Sequence, residues 1–262
     1  MTRNSKGGNE SMLHQFSRTE LAIGTEGLEV MKNSTVAVLG IGGVGSIAVE
    51  ALARSGVGRI ILIDKDVVDI TNINRQIHAL LTTVGQQKTE LMVERVKLIN
   101  PECEAIALNM FYTDETYEEL FKYDLDYIID ASDTIVYKIH IIKECLKRKI
   151  PMISSMGAAN KMDPTRFQVA DISKTTVDPI ARIIRTTLRK DGIKKGVKVV
   201  FSTETPMKPL EDITQKIVPE NAPERRKAKQ PPASNSFVPP VVGLIMSSVA
   251  MRDLLANKGI NT

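Results

Sequence analysis

The chain has 262 residues with 35 Lys+Arg against 31 Asp+Glu, a formal charge of +4; 42% hydrophobic and 25% charged residues exclude collagen-like, coiled-coil and wholly disordered chains. No apolar run reaches the roughly 18–20 residues of a membrane span, the N-terminus lacks the apolar core of a secretory signal, and two cysteines, Cys103 and Cys145, cannot build a disulfide framework or a four-thiolate zinc site. The expected setting is a reducing cytoplasm, with no membrane and no zinc. The basic balance permits a nucleic-acid partner, and 4% aromatics without Trp argue against binding by base stacking.

Residues 1–12 read as a flexible, polar N-terminus, and 13–262 as a single domain. Thr35 to Leu39 is a β-branched apolar run and predicts a strand. Val44 to Gly56 predicts a helix ending in Gly. Arg59 to Asp64 predicts a second strand. Gln86 to Ile99 predicts a helix with Met92, Val96 and Ile99 on one face, stopped by Asn100-Pro101. Glu104 to Leu108, Tyr127 to Asp130 and Pro151 to Ser155 are further strands, with a helix over Ile135 to Arg148 between the last two. Alternating helices and continuous apolar strands predict an α/β, Rossmann-like fold whose mostly parallel sheet is covered on both faces.

The second half changes character. Arg166 to Asp171 and Lys198 to Ser202 suit antiparallel strands extending the sheet. Between them Asp178 to Lys190 predicts a helix opened by Pro179. Residues 206–240 hold eight of the twelve prolines and the basic run Arg225 to Lys229. That composition predicts a long mobile loop. Val241 to Asn257 then predicts a buried helix that closes the domain.

Gly40, Gly42 and Gly45, with Gly43 among them, fit G-x-G-x-x-G between a strand and a helix. Without side chains the backbone lets a phosphate approach, and the helix N-terminus supplies N–H groups and positive charge. Asp64, nineteen residues past Gly45 at a strand end, is placed to bind ribose hydroxyls. A nucleotide site follows, whether for NAD, FAD or ATP. Asn72, Asn74, Arg75 and Gln76 crowd beyond the next strand end, and Lys88 opens a helix. Arg grips phosphate oxygens bidentately and Lys supplies a compact charge, which a triphosphate needs. A solvated surface Arg and Lys is the alternative. Asp133, just past the Tyr127–Asp130 strand, can hold Mg²⁺ or cap the following helix; Asp130 reads as structural.

These residues carry a resemblance. GIGGVGS, LIDKDVVDITNINRQ, Lys88 and ASD resemble the ubiquitin-activating-enzyme-like (ThiF-type) superfamily of ATP-dependent adenylating enzymes. NRQIHAL, INPEC, KIPMISSMGAANKMDPT, DISKTTVDPIAR and VVFSTE resemble its tRNA threonylcarbamoyladenosine dehydratase branch, over about His14 to Glu204. The resemblance implies nucleotide contact at Gly42, ribose binding at Asp64, phosphate binding by Thr71 to Arg75 (Asn72 and Arg75 above all) and by Lys88, and Mg²⁺ or the reacting phosphate at Asp133. Arg18 matches an arginine that crosses to the ATP of a second subunit, which implies a homodimer. Family analogy also implies a cysteine desulfurase or sulfur-acceptor partner.

Departures from the superfamily narrow the choice. Residues 201–262 contain no cysteine, so C-x-x-C zinc pairs and a loop thiolate are excluded there; the chain offers Ser234 and Ser236 instead. Cys103 and Cys145 read as packing residues, and His78 as structural. The reaction expected from the branch is ATP-dependent cyclisation of threonylcarbamoyladenosine in tRNA through a carboxyl-adenylate. For tRNA, Arg182, Arg185, Arg189 and Lys194 lie in a seventeen-residue stretch with Asp191 as its one acid; a solvated helix face is the alternative. Two rival functions stand beside it: adenylation of the C-terminus of a sulfur-carrier protein, and an NAD-binding oxidoreductase or nucleotide-sensing module.

Overall fold

Strand β1 (Thr35–Leu39) is apolar on both faces, and the reason is visible in its neighbours. Val36 and Val38 join one buried cluster, and Ala37 and Leu39 another on the opposite face. The period-two alternation thus feeds two cores, one on each side of the sheet. Each fully buried Val, Leu or Ile contributes roughly 1.5–3 kcal/mol. The computed structural model of the chain describes residues 13–210 and 232–260. The expected flexible stretch 1–12 and residues 211–231 of the expected loop lie outside these.

Among the described residues seven strands form one sheet: β1, β2 (Arg59–Ile63), β3 (Glu104–Leu108), β4 (Tyr127–Asp130), β5 (Met152–Ser155), β6 (Phe167–Asp171) and β7 (Lys198–Ser202). Their order is β3-β2-β1-β4-β5-β7-β6. β7 pairs parallel with β5, and β6 returns antiparallel to β7, from Phe167↔Ser202 to Asp171↔Lys198. The mostly parallel, Rossmann-like reading therefore holds, with the antiparallel ladder at one edge. The order reverses between β1 and β4, which places the ligand crevice of such a sheet at their carboxyl ends.

Helices α1 (Ser17–Lys32), α2 (Gly45–Arg54), α3 (Lys88–Ile99) and α6 (Val238–Asn257) cover one face. Helices α4 (Ile135–Arg148) and α5 (Pro179–Lys190) cover the other. In α5 the Asp178 carboxylate accepts from the N–H groups of Ile180 (3.0 Å) and Ala181 (3.1 Å), with Pro179 in the first turn. Ala181, Ile184 and Leu188 face the core at helical spacing. Helix α1 has no counterpart in the sequence reading. Its backbone breaks at Gly24 (φ +74°), and Ile23, Gly27, Leu28 and Met31 are its buried residues.

Helix α6 begins at Val238, earlier than the expected end of the loop at Pro240. Pro239 and Pro240 fall in its first turn, where a missing N–H costs nothing. By length and hydropathy α6 passes for a membrane-crossing helix, yet Val242, Met246, Val249, Ala250 and Leu254 pack into the core. Ser247 Oγ donates to the Ala48 carbonyl of α2 at 3.2 Å. It is a helix that closes the core, as its sequence suggested.

Candidate functional site

The site is built where β1 and β4 diverge. The Gly40 N–H donates to the Ile63 carbonyl and the Ala131 N–H to the Leu39 carbonyl, both at 2.8 Å. Two loops, 40–45 and 131–134, are thereby pinned side by side. They touch so closely that a Cβ on Gly40 would stand 2.8 Å from the Ala131 carbonyl oxygen. A Cβ on Gly45 would fall 1.8 Å from the Gly40 carbonyl oxygen. Those two glycines are demanded by packing. Gly42 is different: the nearest atom to its Cβ position is the Gln76 side-chain nitrogen at 3.9 Å. Its face of the loop is open. Among the described residues no side chain caps α2; the Ser46 N–H is taken by the Gly42 carbonyl at 3.0 Å, and the positive end of the helix faces the loop, where an anion is favoured.

Asp64 braces this loop from below. Its Oδ2 accepts the Ile41 N–H at 2.7 Å and its Oδ1 the Asp66 N–H at 2.8 Å. Each oxygen keeps a second lone pair for a ribose hydroxyl. Burial raises the Asp64 pKa, opposed by the nearby Lys88 charge and by the two backbone N–H groups. Lys88 is itself buried, with Nζ 3.1 Å from Asp66 Oδ2.

Arg75 runs along the glycine loop. Its Cγ would stand 3.2 Å from a Cβ on Gly43. Its Nη1 donates to the Thr71 carbonyl and to Asn74 Oδ1, each at 2.9 Å. Half-burial lowers its pKa, with Asp69 opposing. Asn72 is buried, and its Oδ1 accepts the Asp69 N–H at 3.1 Å. That bond closes the turn which presents Arg75 and engages the Asn72 amide through its oxygen. Among the described residues, Gln76 Oε1 and both ring nitrogens of His78 are buried without a hydrogen-bond partner. Burial, with Lys88 and Arg95 nearby, pushes the His78 pKa down to about 4.

Asp130 and Asp133 differ sharply in their surroundings. Asp130 is fully buried and pairs with Lys138. Asp133 is exposed, and its Oδ1 accepts only the Thr134 hydroxyl at 3.2 Å among the described residues. It does not cap α4, whose N-cap is Thr134. Arg18 stays outside this site. It is exposed on α1, two residues from Phe16, whose ring packs by Gly56 at the far end of α2. The α5 cations also lie elsewhere, on the opposite face of the sheet. Arg182, Arg189 and Lys194 are exposed. Arg185 is half-buried, and its Nη1 donates to the Thr175 carbonyl at 3.0 Å and to its hydroxyl. Cys103 and Cys145 are buried free thiols in the two cores.

One contact had no signal in the sequence. The segment 232–239 lies against the site, with the Ser234 carbonyl accepting from Asn74 Nδ2 at 3.0 Å and Pro239 against Gly43. It joins residues 160 positions apart, which no local spacing encodes.

The glycine loop, the acid behind it and the whole succession of elements match the ThiF family over residues 16–260. The chain belongs to the ThiF family. It is 70% identical over 244 residues to the tRNA threonylcarbamoyladenosine dehydratase of Bacillus subtilis, covering 93% of this chain and 96% of that protein. The Escherichia coli protein of that name is 38% identical over 251 residues, covering 92% and 94%. Among solved structures, E. coli tRNA N6-threonylcarbamoyladenosine dehydratase, TcdA, in complex with ATP superposes with a TM-score of 0.83 at 36% identity, over 94% of this chain and 95% of that one. The same protein in complex with AMP gives a TM-score of 0.82.

Proposed function

We propose that this ThiF-family chain is an ATP-dependent tRNA threonylcarbamoyladenosine dehydratase, one adenylating domain over 13–262. The observation that carries the reading is 70% identity to a dehydratase over 93% of the chain, joined to a glycine loop whose open face is at Gly42. ATP lies along Gly40, Gly42, Gly43 and Gly45 with its ribose on Asp64. Arg75 and Lys88 hold the phosphates. The threonine carboxylate of the substrate attacks the α-phosphate, the bond to the β-phosphate oxygen breaks, and pyrophosphate leaves. A nucleophile of the same threonylcarbamoyl group then attacks the activated carboxyl carbon. The ring closes and AMP leaves with one carboxylate oxygen, so the nucleoside loses the elements of water. The attacking group is tethered, which makes an enzyme thiolate unnecessary.

Arg75 and Lys88 act by meeting charge that develops on the phosphates. Asp133 offers one exposed carboxylate, and Mg²⁺ binds through one or two carboxylates plus substrate phosphates, so the donor set fits. Bound there, Mg²⁺ would offset phosphate charge. Arg18, exposed and remote from its own crevice, suits a homodimer in which it reaches the ATP of a second copy. Arg182, Arg189 and Lys194 suit contact with tRNA phosphates. Two unpaired thiols suit the reducing cytoplasm. A cysteine desulfurase or sulfur acceptor remains a partner by family analogy alone. The test is mass analysis of nucleosides from tRNA incubated with the protein and ATP. Threonylcarbamoyladenosine should lose one water, with AMP formed in equal amount; an unchanged nucleoside would refute the reading.

A further inference from the structure

Between β5 and β6 the chain makes a turn, residues 157–163, in which Asn160 adopts φ +59°. This left-handed conformation is one Asn tolerates better than most residues. Among the described residues, the polar contacts of Asn160 serve one purpose. Its N–H donates to the Ala233 carbonyl at 2.8 Å, and its Oδ1 accepts the Ala233 N–H at 2.7 Å. Its carbonyl accepts the Met207 N–H at 2.8 Å. One residue thus fastens residues 207 and 233 to the same turn. Beside it, Asn235 Nδ2 donates to the Lys161 carbonyl at 2.9 Å. Lys161 is buried, with Nζ 3.1 Å from Asp178 Oδ2, so the turn itself is anchored to the start of α5.

The held segment reaches the nucleotide site through one amide. The Ser234 carbonyl accepts from Asn74 Nδ2 at 3.0 Å, and Asn74 Oδ1 accepts from Arg75 Nη1 at 2.9 Å. Asn74 is exposed, and the terminal torsion of an Asn amide is broad when nothing holds it. With its nitrogen fixed on Ser234, its oxygen must point at the guanidinium. The order of control runs from a buried ion pair to the turn, to residues 233–235, to Asn74, and to Arg75.

We infer that Asn160 is a positioning residue for Arg75: by holding Ala233 it fixes the Ser234 carbonyl that orients the Asn74 amide against the Arg75 guanidinium. The inference builds on the proposed grip of Arg75 on the ATP phosphates. It predicts that Asn160 sets affinity for phosphate and leaves the adenosine pocket alone, because Asp64 and the glycine loop are held by other contacts.

The experiment measures binding of ATP and of adenosine, which carries no phosphate, by calorimetry on the full chain. Asn160→Gly keeps the left-handed backbone and removes Oδ1. It should raise the ATP Kd about fivefold, the worth of one neutral hydrogen bond, with the adenosine Kd unchanged. Asn160→Asp keeps an acceptor for the Ala233 N–H and should restore ATP affinity. Asn160→Gly combined with Arg75→Ala should bind ATP no more weakly than Arg75→Ala alone. Wild-type ATP affinity in Asn160→Gly, or equal weakening of ATP and adenosine, would overturn the inference while an ATP defect in Arg75→Ala keeps the site reading. Wild-type ATP affinity in Arg75→Ala would bring down both.

Discussion

Asp130 and Lys138 form an ion pair of 2.8 Å in which neither side chain is more than 2% exposed. Ser154 and Ser132 hydroxyls each donate to the same carboxylate at 2.6 Å. A buried pair with its remaining lone pairs satisfied holds together, and removing one partner strands the other charge. The pair fixes the end of β4 and the loop that carries Asp133. Asp130→Asn should therefore lower stability by about 3–5 kcal/mol. Asp133→Asn should leave stability within about 0.5 kcal/mol and abolish Mg²⁺-dependent turnover. Urea unfolding and an ATP-consumption assay on both variants separate the roles; the reverse pattern would show that the two carboxylates have been assigned the wrong way round.

Arg75→Ala and Lys88→Met should each lower turnover at least tenfold, about the loss of one charge-assisted contact of 1.5–3 kcal/mol. Met at position 88 keeps the buried aliphatic stem and removes only the charge. Steady-state kinetics per folded protein is the measurement, and unaltered rates in both variants would refute the phosphate assignment.

The sequence carried the parallel strands because both faces are buried and each reads as an apolar run. Helix α4 was legible to its ends, Ile135 and Arg148. The glycine loop was legible because steric demands at Gly40 and Gly45 leave no other residue possible. What stayed hidden was the use to which polar groups are put. Asn72 read as a phosphate ligand, and its Oδ1 also closes its own turn. Arg185 read as a phosphate contact, and its Nη1 also holds Thr175. Asn160 gave no signal, since its partners lie far away in the chain. Hydrophobic period is local, whereas hydrogen-bond partners are chosen by tertiary contact.

His78 makes acid stability testable. Its folded pKa of about 4 lies below the ordinary 6.5. Between these values the unfolded chain binds the extra proton, so stability rises with pH. It is lost as pH falls from 6.5 towards 4, by about 3 kcal/mol for this group. Above pH 6.5 the group contributes no slope. His78→Leu should flatten the difference between urea midpoints at pH 7 and pH 5 relative to the parent chain. Parallel profiles for the two proteins would mean that the imidazole titrates normally.

The double variant Cys103→Ala, Cys145→Ala should keep most of its specific activity. Burial pushes the Cys103 thiol up to about 11 and raises Cys145 as well. At pH 7 the Cys103 thiolate is then on the order of one part in ten thousand, which suits packing and not nucleophilic attack. Loss of activity in a variant that remains folded, judged by circular dichroism, would establish a covalent enzyme intermediate.

The α5 surface gives the last prediction. Arg182 and Arg189 are exposed and lie seven residues apart, two turns along one side of the helix, with Lys194 exposed just beyond its end. Ala181, Ile184 and Leu188 occupy the buried side, so charge reversal on the outer face leaves packing intact. Arg185 is left unchanged because its guanidinium holds Thr175. Arg182→Glu, Arg189→Glu and Lys194→Glu together should weaken tRNA binding at low salt. The salt slope should become shallower by about one unit per lost phosphate contact. ATP affinity should not change, because the crevice at Gly42 belongs to the opposite half of the sheet. Filter binding across a salt series, with ATP calorimetry alongside, measures both. Equal tRNA affinity and an equal slope in the triple variant would take the tRNA surface off α5 and leave the basic run Arg225 to Lys229 as the next place to reverse.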